Sequence, residues 1–399
     1  MSDLRRRLLR RLRWYRQRER ALVVTTWLAM RLLPAQRVAV VHGFPDSEGN
    51  AVEVVRGLVR RYPGTVVWLH NGPRPSDEMS RLDAPAGKVV TAKVNTLAAF
   101  RAIWRAEVVF FTHGMMTAVR PPRSRTVVNL WHGDGPKAVP GLPRCASTVV
   151  VAATELWARE KARLFGLRPQ DVAVVGNPRV DSAVDRPAHE TRSLLGLGTG
   201  GERVVVWLPT YRRGHDGVRV SWTDGDQLSQ TLHGGIAVPD GVQLVVKPHP
   251  MDTDDYSSLG AMVLTNDDLA RAGVTTIQLL AAADALMSDA SSAWVDALSF
   301  DCPIGFFLPD FDRYGDTRGY NVPDLLAVLP GPFLADPDAV STFLTDVRDG
   351  RVGAPSTYPA MSTIGYHADL PVTDHLFAWL DDYQRARGAR AIFATAGRR

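Results

Sequence analysis

"VVNLWHGDGPK", residues 127–137, runs an apolar strand straight into a tryptophan, a histidine, two glycines flanking an acid, a proline and a lysine. Strand ends that break into glycine-rich loops are where α/β proteins place their chemistry. Outward from this stretch the pattern repeats. "RVAVVHGF" (37–44), "GTVVWLHN" (64–71), "GKVVTAK" (87–93), "AEVVFFTHG" (106–114), "STVVVAAT" (147–154) and "DVAVVGNPR" (171–179) are further short valine-rich runs. Runs of this kind, apolar on both faces, belong to a parallel sheet covered by helices. Helical periodicity falls between them at 50–62, 96–106 and 155–167.

After Pro and Gly punctuation at 182–202, which reads as a crossing between domains, a second series begins. Its strands are "RVVVWLPTY" (203–211), "VQLVVKPHP" (242–250), "AMVLT" (261–265), "ADALMSDASS" (283–292) and "CPIGFFLPD" (302–310), and an amphipathic helix closes the chain at 370–388. Length agrees, since 399 residues exceed what one ordinary core organises. Two doubly wound α/β domains facing one cleft are expected, with ligand at the carboxyl ends of the strands. The boundaries fall at 1–35, 36–185, 186–370 and 371–399.

Charge is unevenly placed. The net charge is +5, yet residues 1–20 hold nine arginines and two acids, which is +7, so the rest of the chain is near −2. A uniform nucleic-acid-binding surface is excluded. Leu4, Leu8, Leu9, Leu12 and Tyr15 recur at helical spacing among those arginines. The following run, Ala21 to Met30, is too short to span a bilayer, which takes about 20 residues. An interfacial helix resting on an anionic membrane surface is the expectation. Two distant cysteines, Cys145 and Cys302, match no metal or redox spacing and fit a reducing, cytoplasmic compartment.

In the second half, strand ends carry groups suited to an anion. "LPTYRR" ends in Arg212 and Arg213, "VVKPHP" in Lys247 and His249, and "MSDASSAWVDAL" offers Ser291 and Ser292 at a helix start. A Ser-Ser pair alone is only a cap. Converging from successive strand ends, these residues point to a phosphate or pyrophosphate site. Lysine is rare, five against 42 arginines, and Lys137 and Lys247 both stand in such motifs. The first half supplies His132 and "GNPRVD" (176–181), from which Arg179 can reach a phosphate. A neutral histidine in a cleft suits proton abstraction from a hydroxyl. The acid–x–acid pairs, such as Asp252–Asp254, carry no metal expectation, and the Walker A, G-x-G-x-x-G, H-E-x-x-H and nucleophile-elbow motifs are missing from the sequence.

Taken in order, "LWHGDGPK", "VGNPRVD", "LPTYRR", "VKPHP" and "SDASSAWVDAL…PIGFFLPDFDRYGDTRGY" resemble the CDP-glycerol glycerophosphotransferase family, the teichoic-acid primases and polymerases. The resemblance spans roughly residues 100–325. It implies a GT-B fold with nucleotide on the C-terminal domain and acceptor on the N-terminal one. It further implies transfer of a polyol phosphate from a CDP-polyol, most simply CDP-glycerol, to a lipid-linked acceptor, with CMP released and no cofactor. On that basis His132 is the base candidate, and His249 either joins the pyrophosphate site or protonates or electrostatically relieves the departing CMP. Arg212, Lys247, Ser291 and Ser292 hold the pyrophosphate, and Arg318 lies near the donor. Ala290 stands where the family commonly has tyrosine, and "HGDGPK" replaces the commoner His-Gly-Thr-Pro form, so the polyol stays open. UDP-sugar 2-epimerases and sugar-transferring GT-B enzymes are the rival readings.

Overall fold

Valine, isoleucine and phenylalanine recur where a strand is walled by helices on both faces, and the strands are buried accordingly. Thr126–Asn129, Val149–Ala152, Ala285–Ser288 and Ile304–Phe307 are buried at every residue. The computed structural model describes residues 20–115, 119–138, 146–210, 235–249, 252, 256, 259–366 and 370–393.

Two all-parallel sheets result. The first has seven strands, β1 (Gln36–His42), β2 (Thr65–His70), β3 (Val89–Lys93), β4 (Ala106–Phe111), β5 (Thr126–Asn129), β6 (Val149–Ala152) and β7 (Val172–Val174), in spatial order 3-2-1-4-5-6-7. The second has six, β8 (Arg203–Trp207), β9 (Val242–Val246), β10 (Met262–Val263), β11 (Ala285–Ser288), β12 (Ile304–Phe307) and β13 (Phe333–Leu334), in order 10-9-8-11-12-13. In both, the order reverses beside the first strand, at β1/β4 and β8/β11. Crevices at that reversal are where such sheets bind ligand.

The helices follow local signals. Thr154 caps the helix Glu155–Phe165 by accepting from the Trp157 amide at 3.2 Å, and Gly166 closes it at φ 63°. The segment 182–202, expected as a crossing, contains a helix, Ala188–Leu195. Its Pro187 and Gly196 are the start and stop residues of that helix rather than breakers.

The halves are packed, not merely linked. Trp157 and Trp294, both fully buried, meet edge to face across them with ring centres 6.4 Å apart. Such a pair adds about 1 kcal/mol beyond the area it buries. Gln278 donates to the Ser182 carbonyl at 2.8 Å, and Arg186 to that of Gly273 at 2.7 Å. The last helix, Val372–Ala386, returns to the first sheet. Asp181 accepts from the Val372 and Thr373 amides at 2.6 and 2.8 Å, and Phe377 packs beside Phe110.

At the amino end, residues 20–32 form a helix, while 1–19 lie outside the described residues. Thr26 and Met30 are buried against the first sheet, and Trp104 donates to the Thr26 hydroxyl at 3.1 Å. The opposite face leaves Val24, Trp27, Leu28 and Leu32 in solvent. Among the described residues, no helix is long and apolar enough to cross a membrane.

Candidate active site

A cavity of about 770 Å³ opens between the sheets at their carboxyl ends. His132, Arg179, Lys247, His249, Ser291, Ser292 and Arg318 all line it. Arg212 lies outside the described residues.

The loop after β5 owes its course to strain held from several sides. Trp131 adopts φ 58°, a left-handed conformation costing roughly 1–2 kcal/mol for a residue with a side chain. Its amide donates to Asn129 Oδ1 at 3.0 Å, and its carbonyl accepts from Asn50 Nδ2 at 3.2 Å. The turn this enforces swings His132 out of the sheet toward the cleft. The two glycines that follow leave little room for a side chain. A Cβ on Gly133, which sits at φ 132°, would lie 2.5 Å from Arg179 Nη2. One on Gly135 would come within 3.1 Å of Ser292 Cα. The loop backbone is thus pressed against the second half.

Beneath it, buried Asp134 accepts from the Ala153 amide and pairs with Lys161 Nζ, each at 2.6 Å. Lys161 also donates to the Val151 carbonyl at 2.6 Å. Burial pushes its ammonium below the ordinary lysine range despite the aspartate. On the far side, Lys137 forms an antiparallel bridge with Tyr320. Asn321 donates from its amide to the Pro136 carbonyl at 2.6 Å and from Nδ2 to that of Lys137 at 2.9 Å. The His132 loop and the segment following Arg318 are therefore tied to each other.

Arg179, expected to reach a phosphate, has its terminal nitrogens engaged within the protein. Nη1 donates to the His132 carbonyl at 2.8 Å, and Nη2 pairs with Asp296 at 2.5 Å. Asn177 donates to the other Asp296 oxygen at 2.9 Å. Asp289 likewise organises backbone, accepting from the Thr210 amide at 2.8 Å and the Ser291 amide at 3.0 Å. Of the two serines, Ser291 accepts from the Ala293 amide at 3.2 Å, whereas Ser292 makes no capping bond and faces the Gly133–Gly135 loop.

Pairing sorts the cations of the cleft. Lys161, Arg179, Arg56 and Arg163 have carboxylate partners. Among the described residues, Lys247 and Arg318 have none. Lys247 is buried, and burial pushes its ammonium below the ordinary lysine range. Burial, with help from Lys137 and Lys247 against Asp252, also lowers His249. His132 is pushed down from 6.5 to about 3 by burial, then by His113, Lys161, Arg179 and Lys137. It is a neutral imidazole at pH 7, in a field that invites anions. Its Nδ1 is buried with no hydrogen-bond partner among the described residues.

A model of the CDP-glycerol:poly(glycerophosphate) glycerophosphotransferase family matches residues 65–356. The chain belongs to this family. It is an enzyme of the CDP-glycerol glycerophosphotransferase type, and its GT-B fold is that of solved relatives. A structure of the wall teichoic acid polymerase TagF superposes with a TM-score of 0.66 at 17% identity, covering 97% of this chain and 98% of that one. A TagF variant soaked with CDPG for 15 minutes gives 0.65 at 16% identity, covering 98% and 100%. A UDP-GlcNAc 2-epimerase from Neisseria meningitidis, bound to UDP-GlcNAc, gives 0.50 at 12% identity, covering 86% and 99%. No curated protein matches the chain by sequence.

Several residues in or beside the cleft escaped sequence reasoning. Asp296 lies within the quoted "SDASSAWVDAL", but its ion pair spans 117 residues to Arg179, a contact that no spacing rule reveals. Lys161 had a usable signal. It is one of only five lysines, on a helix otherwise served by arginine. His113 follows β4 as His132 follows β5, and that parallel was legible.

Proposed function

We propose that this protein transfers glycerol phosphate from CDP-glycerol to a hydroxyl of a lipid-linked acceptor, releasing CMP, in assembly of a teichoic-acid-like envelope polymer. The observation that carries the reading is that Lys247 and Arg318, which have no carboxylate partner among the described residues, share one cleft with a neutral His132. A diphosphate supplies the missing counter-charge. The acceptor oxygen attacks the phosphorus bearing glycerol while its proton passes to His132. The bond from that phosphorus to the bridging oxygen breaks, and CMP departs with the electron pair. Charge building on the departing phosphate is met by Lys247, Arg318 and His249, so the chain's own groups serve where other transferases use a cofactor. Membership of the family and the likeness to TagF support the donor and the polymer class.

The same reading places the enzyme on the inner face of the cell membrane. The exposed Val24, Trp27, Leu28 and Leu32, with the +7 charge of residues 1–20, fit an anionic lipid surface. The test is CMP release from CDP-glycerol, CDP-ribitol or UDP-N-acetylglucosamine, each with and without a lipid-linked acceptor. Acceptor-dependent CMP from a CDP-polyol is expected. UDP release or epimerisation of the UDP-sugar, without CMP, would replace the reading.

A further inference from the structure

Histidines that take protons are usually oriented by a hydrogen bond on the ring nitrogen that does not face substrate. His132 lacks that device, since its Nδ1 is buried and unpartnered among the described residues. Something else must fix the ring plane. Two neighbouring rings do so. His113 lies parallel to His132, with centres 4.5 Å apart and planes 17° apart, and Trp131 lies 4.1 Å away at 41°. His113 and Trp131 are 6.4 Å from each other, so the three rings form a triangle with His132 at one corner.

His113 is itself held. Thr112 is fully buried and accepts from the Phe44 amide at 3.0 Å. Its hydroxyl proton is then available to His113 Nδ1, 3.1 Å away. The Phe44 ring meets His113 edge to face at 5.6 Å. Rigid backbone therefore sets Thr112, Thr112 sets the His113 plane, and that plane sets His132.

We infer that His113 is a positioning residue for His132, acting through the stacked face of its ring. This rests on the function proposed above, in which His132 accepts the acceptor proton. The loss of a flat ring at position 113 lets the His132 imidazole tilt, and small misplacements of a reacting group cost up to about a hundredfold in rate. Donor binding is spared, because Lys247 and Arg318 belong to the other half.

The experiment measures kcat and KM for CDP-glycerol, with a lipid-linked acceptor, in His113→Ala, His113→Phe and His132→Ala, alongside melting temperatures. His113→Ala is expected to lower kcat by about ten- to a hundredfold with KM and melting little changed. His113→Phe, which keeps the flat ring, is expected to recover most of that rate. Should His113→Ala fail to fold, His113→Gln takes its place under the same criteria. Wild-type kcat without the ring, or a His113→Phe enzyme as slow as His113→Ala, overturns the inference. Wild-type turnover in His132→Ala instead overturns the function it rests on.

Discussion

The Arg179 guanidinium joins two chemically different tasks, donating at 2.8 Å to the His132 carbonyl while pairing at 2.5 Å with Asp296 of the opposite half. The loop that presents the proposed base is thus tied to the half that presents the donor cations. The position of His132 is thereby fixed relative to the donor side of the cleft.

Arg179→Ala should therefore be costly for stability before it is costly for binding. It leaves Asp296 buried without its partner, a loss of about 3–5 kcal/mol. Urea unfolding of Arg179→Ala against an Arg179→Met/Asp296→Leu double variant separates the causes. The double variant is expected to recover much of the loss. Equal instability in both would mean that packing, not the stranded charge, dominates.

Gly135→Ala places a methyl 3.1 Å from Ser292 Cα, where only backbone can yield. Overpacking of this kind costs about 1–3 kcal/mol. Its signature should be a fall in kcat larger than the fall in stability, because the displaced elements carry His132 and Ser292. A steady-state assay beside a thermal melt reads both, and an enzyme with wild-type kcat would show that the loop accommodates the methyl group.

Acid stability carries the imprint of His132. Its folded pKa, about 3, lies below the unfolded 6.5, so the unfolded chain takes up the proton first. The contribution is whole above about pH 6.5 and is lost as pH falls toward 3. His132→Gln removes the titrating group. Melting temperatures between pH 7 and 4 should fall more gently in that variant than in wild type, and parallel curves would contradict the lowered pKa.

Much of this molecule was legible in its sequence. All twelve valine-rich or apolar runs read as strands are strands, because parallel strands walled on both sides leave an unbroken apolar signature. β13 (Phe333–Leu334) was not seen, since two residues carry no period. The cleft's lining was legible for a similar reason, as strand ends mark themselves with Gly, Pro and charge. Pairing was not. Nothing local in "GNPRVD" says that Arg179 is claimed by Asp296, while Lys247 has no carboxylate partner among the described residues. That distinction belongs to the packing of two sheets, and it separates a structural cation from one that awaits a ligand.

His132→Ala should abolish CMP release while leaving CDP-glycerol affinity within about twofold, since the imidazole takes a proton that moves only in the transition state. A quenched-flow assay paired with a binding measurement is the check, and weakened binding alone would make His132 a donor ligand.

The most direct measurement is a calorimetric titration of CDP-glycerol into wild type, Lys247→Ala and Arg318→Ala. A charge-assisted contact contributes about 1.5–3 kcal/mol, so Kd should rise at least roughly tenfold in each variant. Unchanged affinity in both would show that these two cations do not hold the diphosphate.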